Sequence, residues 1–328
     1  MPVGGWLALP AGRPPDGRHP VTPAQTPQRT PPVTDHSPLR SAWTESLARG
    51  QRPDASALRA HLRAVHRDHA GFTETCARAC RDTAGRTSYD WLAEAVPPDR
   101  QARILDLACG SGPLLQILQA RDADLRLTGV DMCPEELALA RARLADGAAD
   151  LLQAEAQDMA ALADGSVDAV LCHWALTLMD PLAPVLDEVQ RVLVPGGRFA
   201  AIVDGPMDAA PGYAAAHHLI YGHVQAELPG YGEIDLGDPR VRGTDSLTDL
   251  VHAVFPDATV TVETGVVAMD GPAEALAEDA AGFFYAAFIL SPARRVQMLA
   301  DLAALLAAQT QDAPARFAMP VNRLLVAL

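Results

Sequence analysis

Residues 104–113, ILDLACGSGP, hold the side chains and turn best placed to do chemistry. An apolar run ends at Asp106 and Leu107, passes through Ala108, Cys109, Gly110, Ser111 and Gly112, and meets Pro113. Read as strand, tight turn and helix, it lets backbone approach a ligand, because glycine places no Cβ in the way. The helix that follows presents unpaired N–H groups to that ligand, and proline in its first turn sacrifices no hydrogen bond. A second run, residues 126–131, ends in Asp131, about twenty residues beyond the glycines, the distance at which an acid grips ribose hydroxyls. Pro134, Glu135 and Glu136 then open another helix, with acids where the macrodipole favours them. Any βαβ unit of a doubly wound sheet carries part of this pattern, so the remaining elements have to decide.

Two further segments do so. Residues 166–173 read as a strand arriving after the turn Ala163-Asp164-Gly165. Residues 186–199 read as a helix, a Pro195-Gly196-Gly197 turn and the start of another strand. Upstream, the composition predicts helices over about 54–84 and 88–96, ending at Pro97-Pro98. Downstream, it predicts a helix over 213–228, a Gly/Pro/Asp-rich loop to Gly243 and an alternating strand over 259–264. A helical stretch over 273–309, broken near Ser291-Pro292, and a last strand over 317–328 complete the chain.

Composition narrows the chemistry. All 26 basic residues are arginine, so no lysine base, Schiff-base lysine or phosphate-loop lysine exists. A short-chain dehydrogenase, which relies on a Tyr/Lys pair, is excluded on that ground. Of the net charge of −15, residues 1–103 contribute 14 arginines against 10 acids and the remainder 12 against 31. Such an acidic main portion argues against a nucleic-acid substrate. No apolar run reaches membrane-span length and no signal-peptide pattern opens the chain, which predicts a cytoplasmic protein without membrane partners. The five cysteines have neither disulfide nor metal spacing, and His66 and His69 lack a third ligand, so no metal is expected and both histidines read as surface residues. Ten prolines within residues 1–40 predict a disordered leader or a start-site extension.

In order and spacing, the segments from about Ala102 to Gly205 resemble a class I S-adenosylmethionine-dependent methyltransferase of the small-molecule branch. The resemblance implies an α/β fold: a doubly wound, mostly parallel seven-stranded sheet with an antiparallel C-terminal edge strand, a helical N-terminal lid and cap insertions. The expected domains are a leader at 1–40, a lid at 41–98 and a binding domain at 99–328 with insertions at about 205–256 and 272–312. S-adenosyl-L-methionine is the implied cofactor. By motif, Asp106 lies near its methionine moiety, and Ala108, Cys109, Gly110 and Gly112 bring backbone against it. Position 108 is glycine in most relatives. Asp131 binds both ribose hydroxyls and Met132 packs on the adenine. The adenine edge falls within residues 155–159, where the spacing reads one or two residues either way. Asp158 accepts from the adenine amino group with Gln157 or Met159 backbone nearby, or it is a turn or helix cap. Arg86, with Tyr89, suits a lid over the cofactor carboxylate, or is one of many surface arginines.

The acceptor side is read from residue types. His173 and Trp174 follow the fourth strand, at the edge where ligands of open α/β sheets bind. His173 touches the cofactor, faces the acceptor or caps the strand. His217 and Tyr221 share a helix face, where a histidine beside a tyrosine can deprotonate a phenol, amine or carbon acid, or else they lie on an exposed amphipathic face. Phe283, Phe284, Tyr285 and Phe288 form an acceptor pocket or simple core. The expected reaction is methyl transfer to N, O or C of a small molecule, in secondary-metabolite tailoring. The alternatives are a non-methylating reaction such as cyclisation in the same pocket, and a regulator that binds the cofactor without catalysis. Metal-dependent O-methylation would need clustered carboxylates where His173-Trp174 stands. A homodimer is compatible with all of these.

Overall fold

The computed structural model describes residues 38–99, 101–232, 236–309 and 314–328. Seven strands form one sheet: β1 (Arg103–Leu107), β2 (Arg126–Asp131), β3 (Ala149–Gln153), β4 (Val167–His173), β5 (Leu193–Asp204), β6 (Thr259–Gly271) and β7 (Ala315–Ala327). Their order is β3-β2-β1-β4-β5-β7-β6. The first five pair in parallel, and β7 runs antiparallel to both of its neighbours. The antiparallel strand therefore lies one place in from the edge, which β6 occupies. The order reverses between β1 and β4, and an open sheet binds ligands at such a switch point.

The period-two alternation of the strands explains the layers. Ile104, Ala169, Leu171, Ala200 and Ile202 face one core; Leu105, Leu107, Val170, Cys172, Phe199 and Ala201 face the other. The first core is covered by α1 (Ala42–Ala48), α2 (Ala55–Asp68), α3 (Glu74–Ala79), α4 (Ser88–Ala93), α5 (Pro113–Arg121) and α6 (Pro134–Arg143). The second is covered by α7 (Ala183–Val192), whose Val185, Leu186, Val189 and Val192 make one apolar stripe. The insertions divide between the faces. Helices α8 (Tyr213–Glu227), α10 (Ala273–Ala281) and α11 (Pro292–Ala308) join the first core, whereas α9 (Thr244–His252) packs beneath, on the second. Only part of the 205–256 insertion can thus act as a cap. Among the described residues, no helix is long and apolar enough to cross a membrane.

Several local expectations are corrected. The helix expected over 54–84 stops at Asp68 and resumes at Glu74, because Gly71 turns left-handed (φ +76°) and donates its N–H to Glu136. The Pro195-Gly196-Gly197 turn is absorbed into β5, with the register against β4 shifting between Val167 and Ala169. The leader lies outside the described residues up to residue 37. Leu39, within the expected leader, packs on the core and donates its N–H to the Phe288 carbonyl at 3.0 Å.

Gly129 in β2 shows how tightly the first layer is packed. A Cβ there would meet Cys109 Sγ, Leu115 Cδ1 and Leu151 Cδ2, each at 2.8 Å. We expect Gly129→Val to cost about 1–3 kcal/mol by overpacking. Chemical denaturation measures it, and a midpoint equal to that of the unaltered protein would contradict this packing.

Candidate active site

The site forms where β1, β2 and β4 end. Asp106 is buried in β1, and the chain leaves the strand through Ala108 in a left-handed conformation. Trp174, directly after β4, has the same conformation; both φ values are +57°, and among the described residues these are the only two non-glycine positions with positive φ. Backbone strain of this kind costs about 1–3 kcal/mol and is held by its surroundings. Trp174 is held by its ring N–H, which donates to Asp204 at 2.8 Å.

Asp131 ties the two turns together. Its Oδ2 accepts from Gly110 N–H at 2.9 Å and its Oδ1 from Cys133 N–H at 2.8 Å. Burial raises its pKa despite those two donors. Asp106 is pushed well above the carboxylate range, first by burial and then by the Asp131 charge, and its Oδ2 has no partner among the described residues. His173 Nε2 lies 2.9 Å from Ser88 Oγ and its ring stacks on Tyr89 at 3.7 Å. Burial lowers its pKa to about 3, so it is neutral at ordinary pH.

These groups open into one cavity of about 860 Å3 that continues beneath α8. Ala108, Cys109, Gly110, Met132, Gln157 and His173 line it together with the two aspartates. So do His217 and Tyr221, whose rings stack at 4.0 Å. His217 Nδ1 is buried without a partner among the described residues, and burial, aided by His218 and Arg242, lowers its pKa to about 4. Trp174, Tyr213, Phe283 and Phe284 wall the same half.

Four expected site residues lie elsewhere. Arg86 is engaged by Asp82 and Glu94, both at 2.8 Å, outside the cavity lining. Gly112 caps α5, where a Cβ would meet Ala140 at 3.1 Å, so its freedom serves helix packing. Asp158 is exposed in the turn closed by its N–H to the Glu155 carbonyl. Met159 is fully buried in the second core, its N–H donating to Glu188 and its carbonyl accepting from Arg191. Of that segment, Glu155, Ala156 and Gln157 line the cavity.

The cavity also holds residues that the sequence reading missed. His66, expected on the surface, lines it with Glu136, beside Tyr285, which was expected in an acceptor pocket or core. A signal existed: His66 is one turn from Leu62 and Glu136 one turn from Ala140, both on buried helix faces. His69 stacks on Phe288 at 4.4 Å. Among the described residues, no group of three or more His, Cys, Asp or Glu could hold a metal.

The buried Asp106 makes a testable demand. A carboxyl whose folded pKa stands above its unfolded value takes up a proton on folding, so it opposes folding increasingly as pH rises from the ordinary carboxylate range toward the folded value. We expect Asp106→Asn to stabilise the ligand-free protein by about 1–3 kcal/mol near pH 8, the gain shrinking toward about pH 4. Denaturant unfolding at several pH values measures it. A variant less stable than the parent throughout would show that the carboxylate is not a cost to the fold.

Comparisons with known proteins agree with this geometry. A family described as a methyltransferase domain matches residues 105–201, from β1 into β5. The trans-aconitate 2-methyltransferase of an Azoarcus species is 32% identical over 220 residues, covering 63% of this chain and 83% of that protein. The demethylmenaquinone methyltransferase of Thermus thermophilus is 31% identical over 155 residues, 47% of this chain and 66% of its own length. A sterol 4-C-methyltransferase of Caenorhabditis elegans is 29% identical over 157 residues, 43% of this chain and 46% of its own length. The chain thus spans about half to two thirds of the length of these last two relatives. Among solved structures, a chain from Anaeromyxobacter dehalogenans assigned as a type II methyltransferase superposes with TM-score 0.51 at 23% identity, covering 75% of this chain and 96% of that one. At that identity the likeness speaks for the fold alone. Through its paired turns, its seven-stranded order and its Azoarcus relative, the chain belongs to the class I S-adenosylmethionine-dependent methyltransferase family.

Proposed function

We propose that the protein transfers a methyl group from S-adenosylmethionine to a small-molecule acceptor held beneath α8. The observation that carries this reading is the single cavity joining the β1 and β2 turns to His217. The residues at the turns fit the cofactor. A Cβ built on Gly110 would meet only Glu136 Oε2, at 3.8 Å, within 4 Å, so a cradle is open over that backbone. The unpartnered Asp106 Oδ2 offers a buried acceptor to an ammonium or a water. Asp131, Met132 and Gln157 would hold the nucleoside end. When bound, the cofactor supplies an electrophilic methyl on a good leaving group.

What the chain adds is orientation and the exclusion of water, and alignment of this kind is worth roughly 7–11 kcal/mol. Trp174, Tyr213, Phe283 and Phe284 enclose the acceptor half in aromatic surface, which favours a bulky acceptor of the kind found among secondary metabolites. The relatives are named for acceptors as different as a sterol, demethylmenaquinone and trans-aconitate, so this choice rests on the cavity. His217 is neutral at pH 7 and fixed by its stack on Tyr221, leaving Nδ1 to accept a hydrogen bond from an O–H or N–H nucleophile. A group with so low a pKa is first an orienter, and takes the proton only as methyl transfer acidifies the nucleophile.

Calorimetry with S-adenosylhomocysteine should show binding, and a mass-spectrometric screen of candidate acceptors should show a gain of one methyl. Absence of binding would remove the reading. His217→Ala should lower turnover by roughly 10²–10⁴-fold while leaving cofactor affinity nearly unchanged. Because the His217 pKa is near 4, its neutral form persists well below pH 6.5. Its contribution to kcat/KM should therefore be lost only as pH falls through about 4. An acid limb near 6.5 that vanishes in His217→Ala would refute that environment.

A further inference from the structure

Glu136, in the first turn of α6, is buried and is held by groups from two other parts of the chain. Its Oε1 accepts from Gly71 N–H at 2.9 Å and lies 2.7 Å from His66 Nδ1. His66 Nε2 in turn lies 2.7 Å from the Tyr285 hydroxyl. Burial raises the Tyr285 pKa, so the phenol keeps its proton beside Nε2. A carboxylate only accepts, so the imidazole donates from Nδ1 to Glu136. The contacts thus run from the Tyr285 turn through α2 to α6, along the cavity wall.

At the end of this chain stands an unused acceptor. Glu136 Oε2 is buried with no partner among the described residues, and it borders the open space over Gly110. An unsatisfied buried carboxylate oxygen is costly, and a donor arriving over Gly110 would remove that cost. Asp131 is less free to serve, since each of its oxygens already accepts a backbone N–H.

We propose that Glu136 Oε2 is a second acceptor for the ribose of a bound nucleoside, taking a hydroxyl hydrogen, with His66 and Tyr285 as its positioning residues. The proposal rests on the reading of this cavity as an S-adenosylmethionine site. It makes ribose recognition depend on closure of α2 and the Tyr285 turn over α6, because both supply the groups that fix the carboxylate.

Calorimetry of the full chain and its Glu136→Gln variant tests this with S-adenosylhomocysteine and its 2′-deoxy and 3′-deoxy counterparts. Glu136→Gln should weaken S-adenosylhomocysteine about 10-fold or more, as expected for a charged hydrogen bond. Removing one of the two hydroxyls should cost the parent protein a similar factor and the variant almost nothing. His66→Phe should weaken the hydroxyl-bearing ligand more than the deoxy one, and His66→Asn, which can still donate to Glu136, should restore the difference. Where Glu136→Gln does not fold, Glu136→Asp withdraws the oxygen by one methylene and serves the same cycle. Equal losses for hydroxyl and deoxy ligands in the variants would make Glu136 merely structural and overturn the proposal alone. Failure of the parent protein to bind S-adenosylhomocysteine would overturn the site reading, and the proposal with it.

Discussion

The Asp131 carboxylate is the interaction on which the rest of the site depends. By accepting the amides of both Gly110 and Cys133, it fixes the β1–α5 turn against the β2–α6 turn. Two separate strand ends thereby become one rigid floor. Burying that acid is unfavourable, and its raised pKa reflects this; the two backbone donors offset part of the penalty. Gly129 belongs to the same arrangement, since any side chain there would drive Cys109 and Leu115 away from β2. The left-handed Ala108 and Trp174 extend it, directing the chain off β1 and β4 on either side of the switch point.

Charge inside the cavity is arranged by opposed shifts. Burial holds Asp106 and Asp131 toward their protonated forms and holds His173 and His217 toward their neutral forms. These shifts lower the charge of an interior that seven acids line. Such an interior strengthens whatever electrostatic contact a ligand makes there. Two guanidiniums, of Arg59 and Arg242, line it as well, the latter 3.8 Å from Asp204.

Much of the fold was legible because it is local. Strands β1, β2, β4 and β5 are apolar runs closed by small-residue turns, and α8 begins where its periodicity begins. The paired acids and glycines could be read for the same reason: spacing along the chain dictates their meeting. What escaped depends on contacts between distant segments. Nothing local to Gly71 reveals that its N–H is claimed by Glu136, which breaks a helix that would otherwise continue. Nor does the sequence around residue 159 show that Met159 turns into the second core while Gln157 turns to the cavity. His66 looked like a surface histidine because its partners lie on α6 and near residue 285.

The position of β7 bears on how the chain is made. It bridges β5 and β6, pairing with residues 198–204 of the first and the whole length of the second, yet it follows both in sequence. Until it leaves the ribosome, the nascent sheet ends at β5 with an unpaired edge, and β6 has only its bridge from Ala268 to Arg81. Exposed edges of that kind invite aggregation and chaperone attention. Closure of the sheet, and with it the seating of α10 and α11 against β7, must wait for the last strand.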